Sequence, residues 1–210
     1  PSNTIRDLKL KELPRHKHVK DTIKSVKKKL HNIVAPYLGD PDYHQAQLDL
    51  ENAFSQDQST VEETCLSLLS SHASTKERIP IISRFYPELF ALTGMPDTIL
   101  DLACGLHPFS LPWMNLSKST KYYAFDLHQP RIELINSFFK LDNRPQLAVY
   151  QDILVKPPKI SADVAFFFKE AHRFEQRQHG CNRRFWEAIR VKYLLVSLPT
   201  SSLTGKHDKI

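Results

Sequence analysis

The chain has 210 residues, 41% apolar and 25% charged, enough for one sizeable domain or a catalytic domain with a small helical companion, and this balance excludes global disorder. Its net charge of +6 gives it reason to approach a polyanion. No apolar run reaches the roughly 18 residues of a membrane span and no signal peptide opens the chain, so a soluble, cytoplasmic protein without membrane contact is expected. Cys65, Cys104 and Cys181 form no CxxC pair, which argues against a disulfide framework and against a zinc site, so no metal is expected. With only five glycines, neither GxGxxG nor GxxxxGK[ST] can be written, and the usual dinucleotide and ATP/GTP phosphate loops are excluded.

Charge is segregated along the chain. Residues 1–40 carry ten Lys/Arg and four acids, residues 41–70 six acids and no Lys or Arg, and residues 71–210 nineteen basic and thirteen acidic residues. In the basic head, Val19, Ile23, Val26, Leu30 and Ile33 recur at steps of 4, 3, 4 and 3, one stripe of a helix. Lys20, Lys24, Lys27, Lys28 and Lys29 cover its other faces, and Pro14 separates it from a short helix upstream. Two readings stand for this lysine face: a solvated helix surface, or neutralisation of phosphates along a nucleic-acid backbone. Aromatics are absent from the head until Tyr37, so base stacking is not its mode.

The acidic bridge is expected to end in a helix over 60–71 that buries Val61, Cys65, Leu68 and Leu69, with Thr60 and Glu63 as a capping box. Ser74 and Glu77 form a second such pair, and Pro80 either kinks the following helix or marks its later start. From residue 98 the pattern becomes short apolar strands, over 98–103, 122–126, 147–151, 164–168 and 193–198, with helices over 130–141 and 174–190. Alternation of this kind predicts a parallel sheet with ligands at the carboxyl ends of the strands.

Those strand ends carry the chemistry. The first strand leads from Asp101 to Ala103 and a glycine turn at Gly105, where backbone can approach a ligand closely. The second ends at Asp126, placed to accept both hydroxyls of an adenosine ribose. The third ends at Asp152, placed to accept the amino hydrogen of adenine. Three such features in register predict an S-adenosylmethionine site, since a sulfonium cofactor without phosphates needs no triple-glycine loop. Cys104 reads as a small packing residue. Phe166-Phe-Phe-Lys-Glu170 contains no Asn/Asp-Pro-Pro-aromatic element for exocyclic amines, and no cysteine follows the fourth or fifth strand to attack a pyrimidine. The acceptor left is one that needs no deprotonation, such as a purine ring nitrogen.

His72-Ala-Ser-Thr-Lys-Glu-Arg78, Asp101-Leu-Ala-Cys-Gly-Leu106 with Pro108, Asp126-Leu-His-Gln129, Gln151-Asp-Ile-Leu154 and Val196-Ser-Leu-Pro-Thr200 with Ser202 and Leu203 resemble the Arm/Rmt aminoglycoside-resistance 16S rRNA methyltransferases, from about Lys20 to the chain end. The resemblance implies an α/β, Rossmann-like class I S-adenosylmethionine-dependent methyltransferase sheet behind an N-terminal helical rRNA-binding extension. It divides the chain into residues 1–71, the rRNA-docking part, and 72–210, the methyltransferase domain. It implies N7 methylation of guanine 1405 in 16S rRNA within the assembled 30S subunit, by a monomer, giving aminoglycoside resistance. The alternatives are another rRNA position, such as adenine N1, or a non-catalytic rRNA-binding or assembly factor.

By the same resemblance, Tyr37, His72, Ala73, Ser74 and Arg78 close over the methionine end of the cofactor, with Arg78 as partner of its carboxylate. Ala103 and Gly105 lie against the cofactor, Asp126 and Leu127 at the ribose, and Asp152 and Ile153 at the adenine, with Phe168 and Gln178 completing the set. Lys169, Ser197 and Thr200 position the target base. Arg15, Lys17, Lys20, Lys24, Lys27, Lys28 and Lys76 contact RNA. The chain departs from the family at His107, where Asn is usual, and at 170–174, where a Leu/Pro stretch becomes polar. It also stops at Ile210, where the family continues for roughly one helix and two strands, so the sheet is expected to lack its last strands.

Overall fold

The structure is a computed structural model describing residues 2–34 and 40–198, the side chains of Asn32 and Val34 aside. Five strands form one sheet: β1 (Thr98–Leu102), β2 (Lys121–Asp126), β3 (Ala148–Tyr150), β4 (Ser161–Phe168) and β5 (Arg190–Ser197). They lie in the order β3-β2-β1-β4-β5, and every pair is parallel. The chain therefore builds outward from β1 to β3 and then resumes on the far side of β1. This switch point lies between β1 and β4, where open α/β sheets leave a crevice at the carboxyl ends of their strands.

The period of two decides which residues face which layer. Ile99, Tyr122, Ala124, Val164 and Phe166 turn to one side. There they join a core built by α3 (Tyr43–Phe54), α4 (Gln58–Ser70), α6 (Ile82–Thr93) and α7 (Gln129–Leu141). Leu100, Leu102, Phe125, Ala165 and Phe167 turn to the other side, under α8 (Ala171–Arg177) and α9 (Cys181–Ala188). Burial on both faces explains why the middle of β4 reads as an unbroken apolar run instead of an alternation.

Several expected elements differ from those observed. The single helix expected over 174–190 is two helices, because Gly180 takes a left-handed conformation (φ 71°) between them. The helix of the acidic bridge begins two residues early. Its cap is not the Thr60–Glu63 pair but Asp57, whose carboxylate accepts from the Thr60 amide at 2.9 Å. Helix α3 was not anticipated. Its signal was present: Asp42 caps it, and Ala46, Leu50 and Ala53 bury one face at helical spacing. Pro80 sits in a 3-10 turn (Ile79–Ile81), which marks a later start for α6. Short α5 (Ala73–Lys76) precedes that turn.

The basic head is a pair of helices, α1 (Ser2–Glu12) and α2 (Val19–Val34), joined by a 3-10 turn containing Pro14. Buried Glu12 ties the pair together, accepting from Ser25 Oγ at 2.5 Å and Lys29 Nζ at 2.6 Å. Those bonds hold its carboxyl down at about 2. Lys29 therefore points inward and is not on the outer lysine face. The expected apolar stripe is also only partly covered. Val26 is buried, whereas Val19 and Ile23, nearer the start of α2, are exposed. The remaining cations at Arg15, Lys17, Lys20, Lys24, Lys27, Lys28 and Lys76 are exposed.

Candidate functional site

At the carboxyl edge of the sheet a cavity of about 280 Å³ is lined by Ala103, Asp126, Leu127, Gln151, Asp152, Ile153 and Glu170 from the strand ends. Arg173, Phe174, Gln176 and Arg177 of α8 form one wall, and Leu8 of α1 with Lys29 and Ile33 of α2 form another. Asp126 and Asp152, singled out as the ends of the second and third strands, thus face one shared space, and both are buried. The turn between β1 and this space is tight. Ala103 and Gly105 both have φ of 55°, and a side chain is tolerated in that region only when its surroundings enforce it.

Each acid is held by a dense set of donors. Asp126 Oδ2 accepts from the Gly105 amide at 2.9 Å and Oδ1 from the His128 amide at 2.8 Å. Arg131 Nη1 reaches both oxygens at 3.1 Å, and its Nη2 donates to Asp40. Asp152 receives a two-pronged bond from Arg177, a bond from Thr4 Oγ1 at 2.7 Å, and the amides of Leu154 and Val155. Burial opposes its ionisation, but Arg177 and these donors outweigh it and hold the carboxyl below its usual range. Glu170 differs. Burial dominates there, and despite Arg173 Nη1 at 2.9 Å its carboxyl is pushed up to about 7.

The cavity walls are consequently charged yet internally balanced. Lys29 pairs with Glu12, Arg173 with Glu170 and Arg177 with Asp152. Carboxylate oxygens of Asp126 and Asp152 beside apolar Leu127, Ile153 and Phe174 suit an adenosine, whose ribose hydroxyls and exocyclic amine would share those oxygens with the donors they already hold. On the donor chemistry present, the site fits S-adenosylmethionine.

Of the other expected cofactor residues, His72, Ala73, Ser74, Arg78, Gly105 and Phe168 form a second group beside β1 and β4, and neither they nor Gln178 line this cavity. Gly105 connects the two. Its amide binds Asp126, and a Cβ placed on it would lie 3.9 Å from His72 Cε1. His72 Nδ1 and Ser74 Oγ are 2.7 Å apart, and Ala73 follows at the start of α5. Arg78 is buried, with its guanidinium carbon 4.9 Å from the Phe168 ring centre. Lys169 Nζ pairs with Glu77 at 3.1 Å and donates to the Leu198 carbonyl at 3.2 Å. Gln178 accepts from Lys11 of α1 at 2.8 Å. Ser197 pairs with Phe168 at the end of β5, and its buried Oγ has no hydrogen-bond partner among the described residues. Tyr37, Thr200, Ser202 and Leu203 lie outside the described residues.

Sequence reasoning missed the cations that neutralise the acids, Arg131 and Arg177, and the roof supplied by Thr4, Leu8 and Ile33. Arg131 had a readable position, in the first turn of the helix that starts three residues after Asp126. Thr4 had none, because it meets Asp152 across 148 residues of chain. Among the described residues there is no cluster of His, Cys, Asp or Glu that could hold a metal ion, and no helix long and apolar enough to cross a membrane.

A family model described as ribosomal RNA methyltransferase (FmrO) matches residues 2–210. A Micromonospora echinospora protein named 16S rRNA (guanine(1405)-N(7))-methyltransferase is 30% identical over 194 residues, 91% of this chain and 70% of the relative. The solved structure of the 16S rRNA methylase RmtB superposes with a TM-score of 0.77 at 27% identity, over 94% of this chain and 76% of that one. That of the 16S rRNA methyltransferase RmtF in complex with S-adenosyl-L-homocysteine superposes with a TM-score of 0.74 at 27% identity, over 96% and 75% of the respective chains.

Proposed function

The chain belongs to the FmrO family of ribosomal RNA methyltransferases, and on that premise we propose that it moves a methyl group from S-adenosylmethionine to N7 of guanine 1405 in 16S rRNA. The substrate is the assembled 30S subunit, the enzyme acts as a monomer in the cytoplasm, and the outcome is aminoglycoside resistance. The observation that carries this reading is the shared cavity of Asp126 and Asp152, roofed by the basic helix pair. The sheet has the class I S-adenosylmethionine-dependent methyltransferase fold.

The cofactor, when bound, supplies an electrophilic sulfonium methyl. Asp126 and Leu127 hold its ribose, Asp152 and Ile153 its adenine, and Ala103 and Gly105 its flank. His72, Ala73, Ser74, Arg78 and Phe168 surround its methionine end, Arg78 taking the carboxylate with its two-pronged guanidinium. Guanine N7 has a free lone pair at neutral pH, so no general base is needed. The protein's task is alignment, and holding two reactants at attack distance can supply about 7–11 kcal/mol of a barrier. Lys169 and Ser197 stand at the adjacent ends of β4 and β5, placed to orient the incoming base. Residues 1–71 serve as the rRNA-docking part and 72–210 as the methyl-transfer body, with α3 and α4 the portion of the former packed against the sheet.

The test is to incubate the chain with purified 30S subunits and labelled S-adenosylmethionine and to map the product. A single methyl at N7 of guanine 1405 is expected. Modification of adenine N1, or tight binding without transfer, overturns the reading in favour of another target or of an assembly factor. Within the same assay, reversing Lys24, Lys27 and Lys28 to Glu is expected to weaken 30S binding and to flatten its log–log salt dependence by roughly 2. These side chains are exposed on the outer face of α2, so S-adenosylhomocysteine affinity measured by calorimetry should not change. An equal loss of cofactor affinity would place the lysines in the wrong role.

A further inference from the structure

Next to the cavity lies a buried polar chain that no step above uses. Asp101 Oδ2 accepts from Tyr122 Oη at 2.8 Å and from His107 Nδ1 at 2.9 Å. His107 Nε2 is 2.8 Å from Tyr86 Oη, with the two rings nearly parallel at 28°. All four residues are at most 2% exposed. Polar groups this deep are kept only when their donors and acceptors match. Burial lowers the pKa of His107, and Arg78 nearby adds to the effect against the pull of Asp101. The imidazole is therefore neutral at neutral pH and carries one ring proton. Asp101 can only accept, so that proton sits on Nδ1, and Nε2 accepts from the Tyr86 hydroxyl.

This orients Tyr86. With its proton directed to His107, Oη turns its lone pairs toward its other neighbours, Arg78 and Ser110. Arg78 also lies against the Phe168 ring, which is itself packed edge-on against His107 with centroids 5.1 Å apart. The guanidinium thus has an aromatic floor anchored in the core and the Tyr86 hydroxyl among its polar neighbours. We propose that Asp101, His107 and Tyr86 are positioning residues that preset Arg78 for the carboxylate of the methionine end of the cofactor. The inference rests on the reading of Arg78 as that carboxylate's partner. A preset side chain surrenders less conformational freedom on binding, and the gain appears as affinity.

The proposal is tested on the full chain by calorimetry with two ligands. S-adenosylhomocysteine carries the amino-acid carboxylate, and 5′-methylthioadenosine lacks it. Tyr86→Phe keeps the ring and removes only Oη. It is expected to weaken S-adenosylhomocysteine binding about tenfold while leaving methylthioadenosine unchanged. Tyr122→Phe, which touches Asp101 but not Tyr86, should lower the melting temperature and keep the wild-type ratio of the two affinities. Equal weakening of both ligands by Tyr86→Phe shows a merely structural role and overturns the inference, as does an unaltered ratio. Failure of Arg78→Met to abolish the preference for S-adenosylhomocysteine overturns the underlying reading of Arg78, and this inference with it.

Discussion

Replacing Arg131 by Ala is expected to cost about 3–5 kcal/mol of folding stability. The guanidinium is fully buried and, among the described residues, is the only cation bonded to Asp126, which is itself 2% exposed. Burial alone would disfavour its charge, but Asp126, Tyr43 and Asp40 overcome this and push its pKa up. Removing it leaves a carboxylate in low dielectric with two backbone amides for compensation. Neutralising both ends by Arg131→Ala with Asp126→Asn should recover part of the loss, since the residual penalty is then a cavity and not an unpaired ion. Urea denaturation of the two single variants and the double variant measures the coupling. A loss below 1 kcal/mol in Arg131→Ala would mean that water reaches Asp126 and that the ion pair is effectively a surface one.

The same pair shows how far the sequence could be read. Asp126 was legible because it ends a strand, and a strand end is a position that local pattern defines. The five strands were located to within three residues for the same reason, since apolar runs bounded by turns need no tertiary information. Partners were harder. Arg177 could not be assigned to Asp152 while 174–190 was read as one helix, and the break depends on a glycine adopting positive φ, which composition permits but does not demand. Lys29 looked like one more lysine of a basic face. Its inward turn depends on Glu12, which lies seventeen residues earlier on another helix. Helix α3 is hard to read from sequence because only Ala46, Leu50 and Ala53 are buried along it, two of them small, so its apolar period is weak against the acidic residues around it. His107 was noticed only as a departure from a family pattern, whereas its role follows from partners at 101 and 86 that one sequence cannot pair.

The polar stretch at 170–174, a departure from the family pattern, has a measurable physical role in the structure. Glu170 lies buried at the end of β4 as the N-terminal flanking residue of α8, without capping it through its side chain. Its carboxyl titrates at about 7 in the folded chain against 4.5 in an exposed one. Between those values the folded state binds more protons than the unfolded state, so stability falls as pH rises through this window and levels off above it. The difference amounts to about 3 kcal/mol at pH 8. Glu170→Gln keeps an oxygen to accept from Arg173 and removes the charge that burial penalises. The variant should therefore be more stable than the wild type at pH 8 by up to about 3 kcal/mol, or roughly 6–12 °C in melting temperature for a chain this size. That advantage should shrink steadily toward pH 4.5, where the wild-type carboxyl is protonated in the folded state and already half protonated in the unfolded one. Paired thermal melts across pH 4.5–8 decide the matter: an advantage independent of pH would show that the gain comes from packing or from Arg173, and that the carboxyl is not titrating in this range.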